Sequence, residues 1–126
     1  MQAAQCTRKL PNFTRLLCNY LRSSGGGNTA ADVNTAAFDF TSIQVNKNYA
    51  AAMHVDKNNL GPSIIVGFGD YRGGKLFVAG QGGLECNNRL RAFDGNAPHC
   101  TLPFAGAAMC PAGKIIALYI SLVHLA

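Results

Sequence analysis

Residues 63–78, SIIVGFGDYRGGKLFV, decide the fold class of this chain. The run 63–68 is apolar and rich in β-branched side chains, which is typical of a buried strand. A glycine turn at 72–74 leads into a second short strand at 75–78. Short strands that follow one another closely through glycine turns predict an antiparallel barrel or sandwich.

The same strand pattern continues on both sides of this segment. Residues 38–45 and 89–93 alternate apolar and polar side chains at a period of two, which predicts strands with one buried face. Residues 101–104 and 114–122 complete the set of predicted strands. The sequence therefore predicts a mainly β fold.

The first 37 residues differ in character from the rest. Residues 12–22, NFTRLLCNYLR, carry apolar side chains at helical spacing, and 23–27, SSGGG, predict a flexible surface loop. We therefore divide the chain into an N-terminal helix with a glycine-rich loop at 1–37 and a β domain at 38–126. The β domain is short, and the sequence leaves open whether it is complete.

Composition indicates a folded chain and disfavours some classes of partner. Of the 126 residues, 48% are hydrophobic and 13% are charged, which is typical of a globular protein rather than a disordered one. No apolar run reaches the roughly 18 residues that a membrane-spanning helix needs. The net charge of +5 arises mostly before the first acidic residue, Asp32, so nucleic acid is a possible partner but not a favoured one.

The five cysteines form no CxxC pair, and their number is odd. Free thiols of this kind indicate an intracellular, reducing compartment. Residues 1–23 are basic and contain no acid, so a docking helix with a basic outer face is the preferred interpretation and an organelle transit peptide is the alternative.

His54 and Asp56 are candidate metal ligands, because side chains two apart on a strand point to the same face. The pair alone is a weak signal, since surface or turn residues produce it by chance. His99 follows 45 residues later at a turn-to-strand junction. Two histidines and one carboxylate make the facial triad of non-haem iron(II) oxygenases, although a structural core histidine is the alternative for His99.

Three motifs in order resemble the iron(II)- and 2-oxoglutarate-dependent dioxygenase superfamily. They are HVDKNN at 54–59, GFGDYRGGKLFV at 67–78 and FDGNAPHCTLPFAG at 93–106. The likeness covers roughly residues 38–122. In the family, a strand–turn–strand with a glycine pair and a leucine follows the HxD motif, and an F-D-x-x-x-x-H motif and a Pro-Phe-x-Gly turn come after it. The matching residues here are Gly73, Gly74, Leu76, Phe93, Asp94, His99, Pro103, Phe104 and Gly106.

The resemblance implies a double-stranded β-helix, which is a jelly-roll, cupin-like barrel, with the N-terminal helix beside it. It also implies Fe(II) bound by His54, Asp56 and His99, with 2-oxoglutarate as cosubstrate and O2 as oxidant. In that family, oxidative decarboxylation of 2-oxoglutarate accompanies oxidation of a substrate C–H bond. Asn58 and Asn59 are candidates for orienting the metal ligands, and ordinary polar turn residues are the alternative.

The cosubstrate site departs from the family pattern. The family commonly holds the far carboxylate of 2-oxoglutarate with an arginine on the final strand, but no arginine follows Arg91 here. Lys114 is the candidate anchor, and an exposed residue at the start of a strand is the alternative. Related oxygenases often place polar side chains that touch 2-oxoglutarate just before the HxD motif, so the resemblance assigns Asn46 and Asn48 to the cosubstrate pocket. Period-two spacing puts both on the face of His54 and Asp56, unless a bulge reverses the parity.

The leading hypothesis is an Fe(II)- and 2-oxoglutarate-dependent dioxygenase that hydroxylates an unidentified substrate. That substrate is a protein side chain, a small molecule or a nucleobase. The first alternative is a degenerate, non-catalytic β-helix binding module that has lost the 2-oxoglutarate anchor. A nucleic-acid-modifying oxygenase is the second alternative, and it requires a basic surface beside the iron together with a pocket for a flipped base.

Overall fold

A computed structural model describes residues 8–23, 30–31, 38–106 and 114–122. Within these ranges there is one long helix, α1, at Pro11–Ser23, and there are ten strands. The strands are β1 Ala30–Ala31, β2 Ser42–Lys47, β3 Ser63–Asp70, β4 Arg72–Gly73, β5 Leu76–Val78, β6 Gly82–Leu84, β7 Arg89–Phe93, β8 His99–Thr101, β9 Phe104–Ala105 and β10 Lys114–Ser121.

The largest sheet has the strand order β1-β7-β3-β10-β2. Its centre is the antiparallel pair β3 and β10, which runs from Lys114 opposite Asp70 to Ile120 opposite Ile64. β2 pairs antiparallel with the other edge of β10, and β7 pairs antiparallel with β3. The two-residue β1 adds a parallel edge beside β7, so the predicted N-terminal region contributes backbone to the sheet.

Two smaller sheets are built from the chain between β3 and β10. One has the order β6-β5-β8, and the other pairs β4 with β9. All the pairings in these sheets are antiparallel. The three sheets are distinct, and the described strands do not close them into a single continuous barrel by hydrogen bonds.

Two hydrophobic clusters lie on opposite faces of the large sheet. On the outer face, Ile64 and Val66 of β3 pack with Leu118 of β10 and with Leu21 of α1. On the inner face, Ile65 packs with residues of the three-stranded sheet, including Leu76 and Val78. The layers are therefore helix, large sheet and small sheet. Because both faces of β3 are covered, the strand is apolar at consecutive positions, which explains the 63–68 sequence.

The structure confirms the mainly β class and the N-terminal helix, and it adjusts some boundaries. The strand predicted at 38–45 begins instead at Ser42, and its predecessors Phe38 and Phe40 pack against the outer cluster without strand structure. The strand predicted at 101–104 is divided between β8 and β9. Most of the predicted loop at 23–27 lies outside the described residues. No helix within the described ranges is long and apolar enough to cross a membrane.

Candidate metal centre

A pair of backbone hydrogen bonds brings His54 and His99 together. The His54 N–H donates to the carbonyl of His99, and the His99 N–H donates to that of His54, each over 2.9 Å. This isolated antiparallel bridge places the segment around His54 beside β8, at the free edge of the three-stranded sheet. The Asp56 N–H donates to the carbonyl of Gly95, also over 2.9 Å. The two histidines are 45 residues apart in the chain, and this short antiparallel bridge brings them together.

The three predicted ligands converge, as expected from the sequence. Asp56 Oδ1 lies 3.7 Å from His54 Nε2, and Asp56 Oδ2 lies 3.4 Å from His99 Nε2. One ligand atom from each residue can be chosen so that all lie within 4.8 Å of one another. His99 is fully buried, whereas the side chains of His54 and Asp56 are 42% and 39% exposed. The cluster therefore combines an internal ligand with two that solvent reaches.

Both imidazole rings are held by carbonyl groups of their own segments. His54 Nδ1 lies 2.6 Å from the carbonyl oxygen of Ala52, and His99 Nδ1 lies 2.8 Å from that of Ala97. A carbonyl only accepts a hydrogen bond, so each Nδ1 carries a proton. In the neutral ring the lone pair is then on Nε2, which is the nitrogen that faces Asp56 in both cases.

Backbone carbonyls thus hold the two imidazole rings in place of the Asn58 and Asn59 side chains that the sequence offered as candidates. The amide Nδ2 of Asn59 donates instead to Ser63 Oγ over 2.9 Å, and Ser63 Oγ is hydrogen-bonded to Ser121 Oγ over 2.8 Å. Asn58 contributes to the wall of the adjacent cleft. The carbonyl groups of the backbone, which a sequence motif does not reveal, orient the rings.

The buried Nε2 of His99 is the observation that tests whether a metal fits. It has no hydrogen-bond partner, and the 3.4 Å contact with Asp56 Oδ2 does not form one. Leaving a buried polar atom unpaired costs about 1–3 kcal/mol, and a metal ion at this position would remove that cost. Two imidazole nitrogens and one carboxylate are the donor set of a facial triad. The residues present therefore fit a divalent first-row metal ion.

An open cleft with a volume of about 570 Å³ adjoins the cluster. Its lining includes the exposed side chains of Tyr49, Met53 and Val55. Side chains from the inner face of β2 and β10 form its floor: Ser42, Gln44, Asn46, Tyr119 and Ser121. The Tyr119 hydroxyl is hydrogen-bonded to Thr101 Oγ1 over 3.3 Å, and burial raises the pKa of Tyr119 above its ordinary value.

Of the three residues predicted to bind the cosubstrate, the structure places one in the cleft and two outside its lining. Asn46 lies in the cleft floor. Asn48 does not, because its φ of 52° interrupts the strand and its Oδ1 accepts the Ile115 N–H over 2.9 Å. Lys114 is exposed and shares the outer face of β10 with Leu118, which packs beneath α1. Tyr119 faces the cleft, and alternate residues of a strand face opposite ways. Lys114 therefore lies on the face of β10 that is turned away from the cleft, and not in the cavity of His54 as the sequence predicted.

Sequence reasoning missed the polar floor and the role of Gly95. Strand alternation would have identified Gln44, Tyr119 and Ser121 as cleft residues, because they are polar residues on the inner face of β2 and β10. Gly95 has no comparable signal. A Cβ at this position would collide with Asn59 Nδ2 and would lie 3.4 Å from Asp56 Oδ2. Only glycine lets the turn approach the metal-binding segment this closely.

Comparisons with known proteins give no relative from which a function could be transferred. No protein-family model, curated protein or solved structure matches the chain significantly.

Proposed function

We propose that this protein is an Fe(II)-dependent dioxygenase that hydroxylates an unidentified substrate with a 2-oxo acid as cosubstrate, which is 2-oxoglutarate in the family it resembles. The observation that carries the proposal is the cluster of His54, Asp56 and His99, in which the two imidazole Nε2 atoms face one carboxylate beside an open cleft. A facial triad leaves three metal positions open, which is the requirement for binding a chelating cosubstrate together with O2.

The path of the chain supports a double-stranded β-helix for this protein. β2, β3, β7 and β10 belong to the large sheet, whereas the His54 segment, β5, β6 and β8 belong to the small one. The chain therefore passes repeatedly between two facing sheets, as it does in a double-sheet jelly roll. This arrangement puts the metal ligands on the small sheet and the cleft floor on the inner face of the large sheet.

Each residue of the triad has a separable role in this proposal. The two imidazoles supply neutral nitrogens, and hydrogen bonds from Nδ1 to backbone carbonyls fix their orientation. Asp56 supplies the negative charge that a divalent ion needs. Bound iron would supply the redox chemistry with O2, while the protein positions the reactants and limits access of water.

A second candidate function is a metal-binding module without catalysis. The observation that favours it is the position of Lys114, which lies on the outer face of β10 and not in the cleft. A nucleic-acid-modifying oxygenase is less well supported, since Lys57 is the only lysine or arginine among the described residues that line the cleft. The free thiols of Cys18, Cys86 and Cys100 support an intracellular, reducing location.

Metal binding and turnover can be tested in one series. The full-length protein is titrated with Fe(II) without oxygen, and O2 consumption and succinate formation are then followed with 2-oxoglutarate. We expect stoichiometric Fe(II) binding and slow uncoupled turnover in the parent protein. Asp56→Ala should lose Fe(II) affinity at least about tenfold and remain folded, because it removes the anionic ligand. Asp39→Ala is the matched control, since Asp39 is an exposed acid outside the cluster.

The outcomes separate the candidate functions. Failure to bind Fe(II), or equal affinity in Asp56→Ala, would remove the metal centre and with it the dioxygenase. Fe(II) binding without O2 consumption, with any 2-oxo acid, would favour the non-catalytic module.

A further inference from the structure

The positive charges of this protein are arranged so that almost none reaches the cleft. All eleven lysines and arginines lie within the described ranges, so their positions can be compared completely. Lys47 and Lys114 lie on the outer face of the large sheet by strand parity, like Ile43 and Leu118 of the outer cluster. Four basic residues lie before or within α1: Arg8, Lys9, Arg15 and Arg22. Three more lie on β4, before β5 and on β7: Arg72, Lys75 and Arg89.

Two basic residues need separate consideration. Arg91 faces inward on β7, because it pairs with Ile65 of the inner cluster, but its Nη1 donates to the carbonyl of Glu85 over 3.2 Å. It does not contribute to the lining of the cleft. Lys57 does contribute to the lining, on the turn that follows Asp56, and its side chain is exposed. It is therefore the one lysine or arginine of the described lining, and a variant of it is included in the test below.

The floor of the cleft is instead polar and uncharged. It presents two amides, Gln44 and Asn46, and the hydroxyls of Tyr119 and Ser121. Gln44 Nε2 donates to Asn46 Oδ1 over 3.1 Å, which leaves the Nδ2 protons of Asn46 available to a ligand. Such groups donate hydrogen bonds to a carbonyl, ether or hydroxyl oxygen. They do not neutralise a carboxylate as an arginine fork or an ammonium does.

The cleft therefore fits the metal-chelating end of 2-oxoglutarate better than its far carboxylate. We infer that the cosubstrate of this protein is a 2-oxo acid whose tail is uncharged and accepts hydrogen bonds from the floor formed by β2 and β10. This inference rests on the proposed Fe(II) site. It goes beyond that proposal by assigning the class of cosubstrate, in which the 2-oxo acid carries one carboxylate rather than two.

A matched pair of ligands tests the inference directly. 2-Oxoglutarate and its 5-methyl ester share the chelating end and the chain length, but only 2-oxoglutarate carries the far negative charge. Binding of each to the Fe(II)-loaded protein is measured by calorimetry without oxygen. We expect the ester to bind about three- to tenfold more tightly, because a half-enclosed carboxylate without a cation loses hydration. Tighter binding of 2-oxoglutarate would overturn the inference.

Two variants locate the source of the preference. Gln44→Lys places an ammonium on the floor, and we expect it to tighten 2-oxoglutarate binding about tenfold relative to the ester. Lys57→Met should leave the parent preference unchanged. If the parent protein favours 2-oxoglutarate and Lys57→Met abolishes that preference, Lys57 is the anchor and the inference is wrong.

The Fe(II) titration distinguishes the two proposals. If Fe(II) does not bind, the proposed function fails and the inference fails with it. If Fe(II) binds but neither 2-oxo acid does, the metal centre stands and the inference about the cosubstrate is overturned.

Discussion

Asp56→Asn is the substitution that most sharply separates stability from function in this protein. The side chain keeps its shape, but an amide N–H replaces one carboxylate oxygen. In the parent protein, Asp56 Oδ2 lies 3.4 Å from the buried, unpartnered Nε2 of His99, and both atoms are acceptors when that nitrogen is unprotonated. An asparagine Nδ2 at this position would donate to Nε2 after a movement of a few tenths of an ångström.

The expected change in stability has two parts: the hydrogen bond that the variant gains and the metal affinity that it loses. A new intramolecular hydrogen bond contributes about 0.5–1.5 kcal/mol. Without metal, the midpoint temperature of thermal unfolding of Asp56→Asn should then be about 2–8 °C higher than that of the parent protein. The parent protein, at a metal concentration of about 100 times its Kd, should gain about 2.7 kcal/mol of stability. If removal of the anionic ligand lowers metal affinity about a hundredfold, Asp56→Asn should gain only about 0.4 kcal/mol at the same metal concentration.

Thermal unfolding with and without added metal measures both effects. Co(II) serves as an air-stable substitute for Fe(II), and circular dichroism follows the transition. We expect the order of stability to reverse: the variant is more stable without metal, and the parent is more stable with it. Asp39→Asn is the control, since Asp39 is an exposed acid that does not belong to the cluster. A variant that is less stable without metal, or that keeps the metal-induced shift, would refute the reasoning.

Three further predictions concern the packing and ionisation of the fold. Gly95→Ala should lower the unfolding free energy by about 1–3 kcal/mol in urea denaturation, because its Cβ would collide with Asn59, whereas Gly83→Ala, with no contact under 3.6 Å, should change it by less than about 0.5 kcal/mol. Leu21→Ala should cost about 2–5 kcal/mol by the same assay and expose α1 to proteolysis, since Leu21 is buried between the helix and the large sheet; unchanged stability would mean that α1 does not depend on this contact. Burial raises the pKa of Cys86 from 9.0 to about 11, so the unfolded chain loses this proton at lower pH than the folded protein does, and stability should fall by up to about 2–3 kcal/mol as pH rises from 9 to 11. Denaturation of Cys86→Ala over the same pH range should show a smaller fall, and an equal fall would assign the effect to other groups.

The metal-binding hypothesis illustrates how far local sequence reasoning can reach. The spacing of His54 and Asp56 predicts a shared face because adjacent strand residues alternate in direction. The addition of His99 is a statement about long-range pairing, and it came from motif order rather than from any local property. The structure confirms that the three side chains meet. It also shows that a two-bond backbone bridge, and not strand parity alone, brings the second histidine into place.

The cosubstrate residues show where such reasoning stops. Parity correctly relates Asn46 to the cleft, but the left-handed backbone at Asn48 breaks the alternation before His54 is reached. Lys114 is placed in a strand by its sequence, yet a single strand pattern does not say which face is internal. That choice depends on where α1 and the three-stranded sheet cover the large sheet.

The sequence by itself predicted the mainly β class, the longer strands, the helix and the identities of the three candidate ligands, because hydrophobic periodicity and residue chemistry are properties of short segments. It did not predict the short strands β1, β4 and β6. Tertiary structure alone decided the order of the strands, the unpartnered Nε2 of His99, the close approach at Gly95 and the uncharged floor of the cleft. Each of these depends on segments that are distant in the chain and adjacent in space. Their relative placement is a property of the packed core and of backbone hydrogen bonds, and no local pattern encodes it.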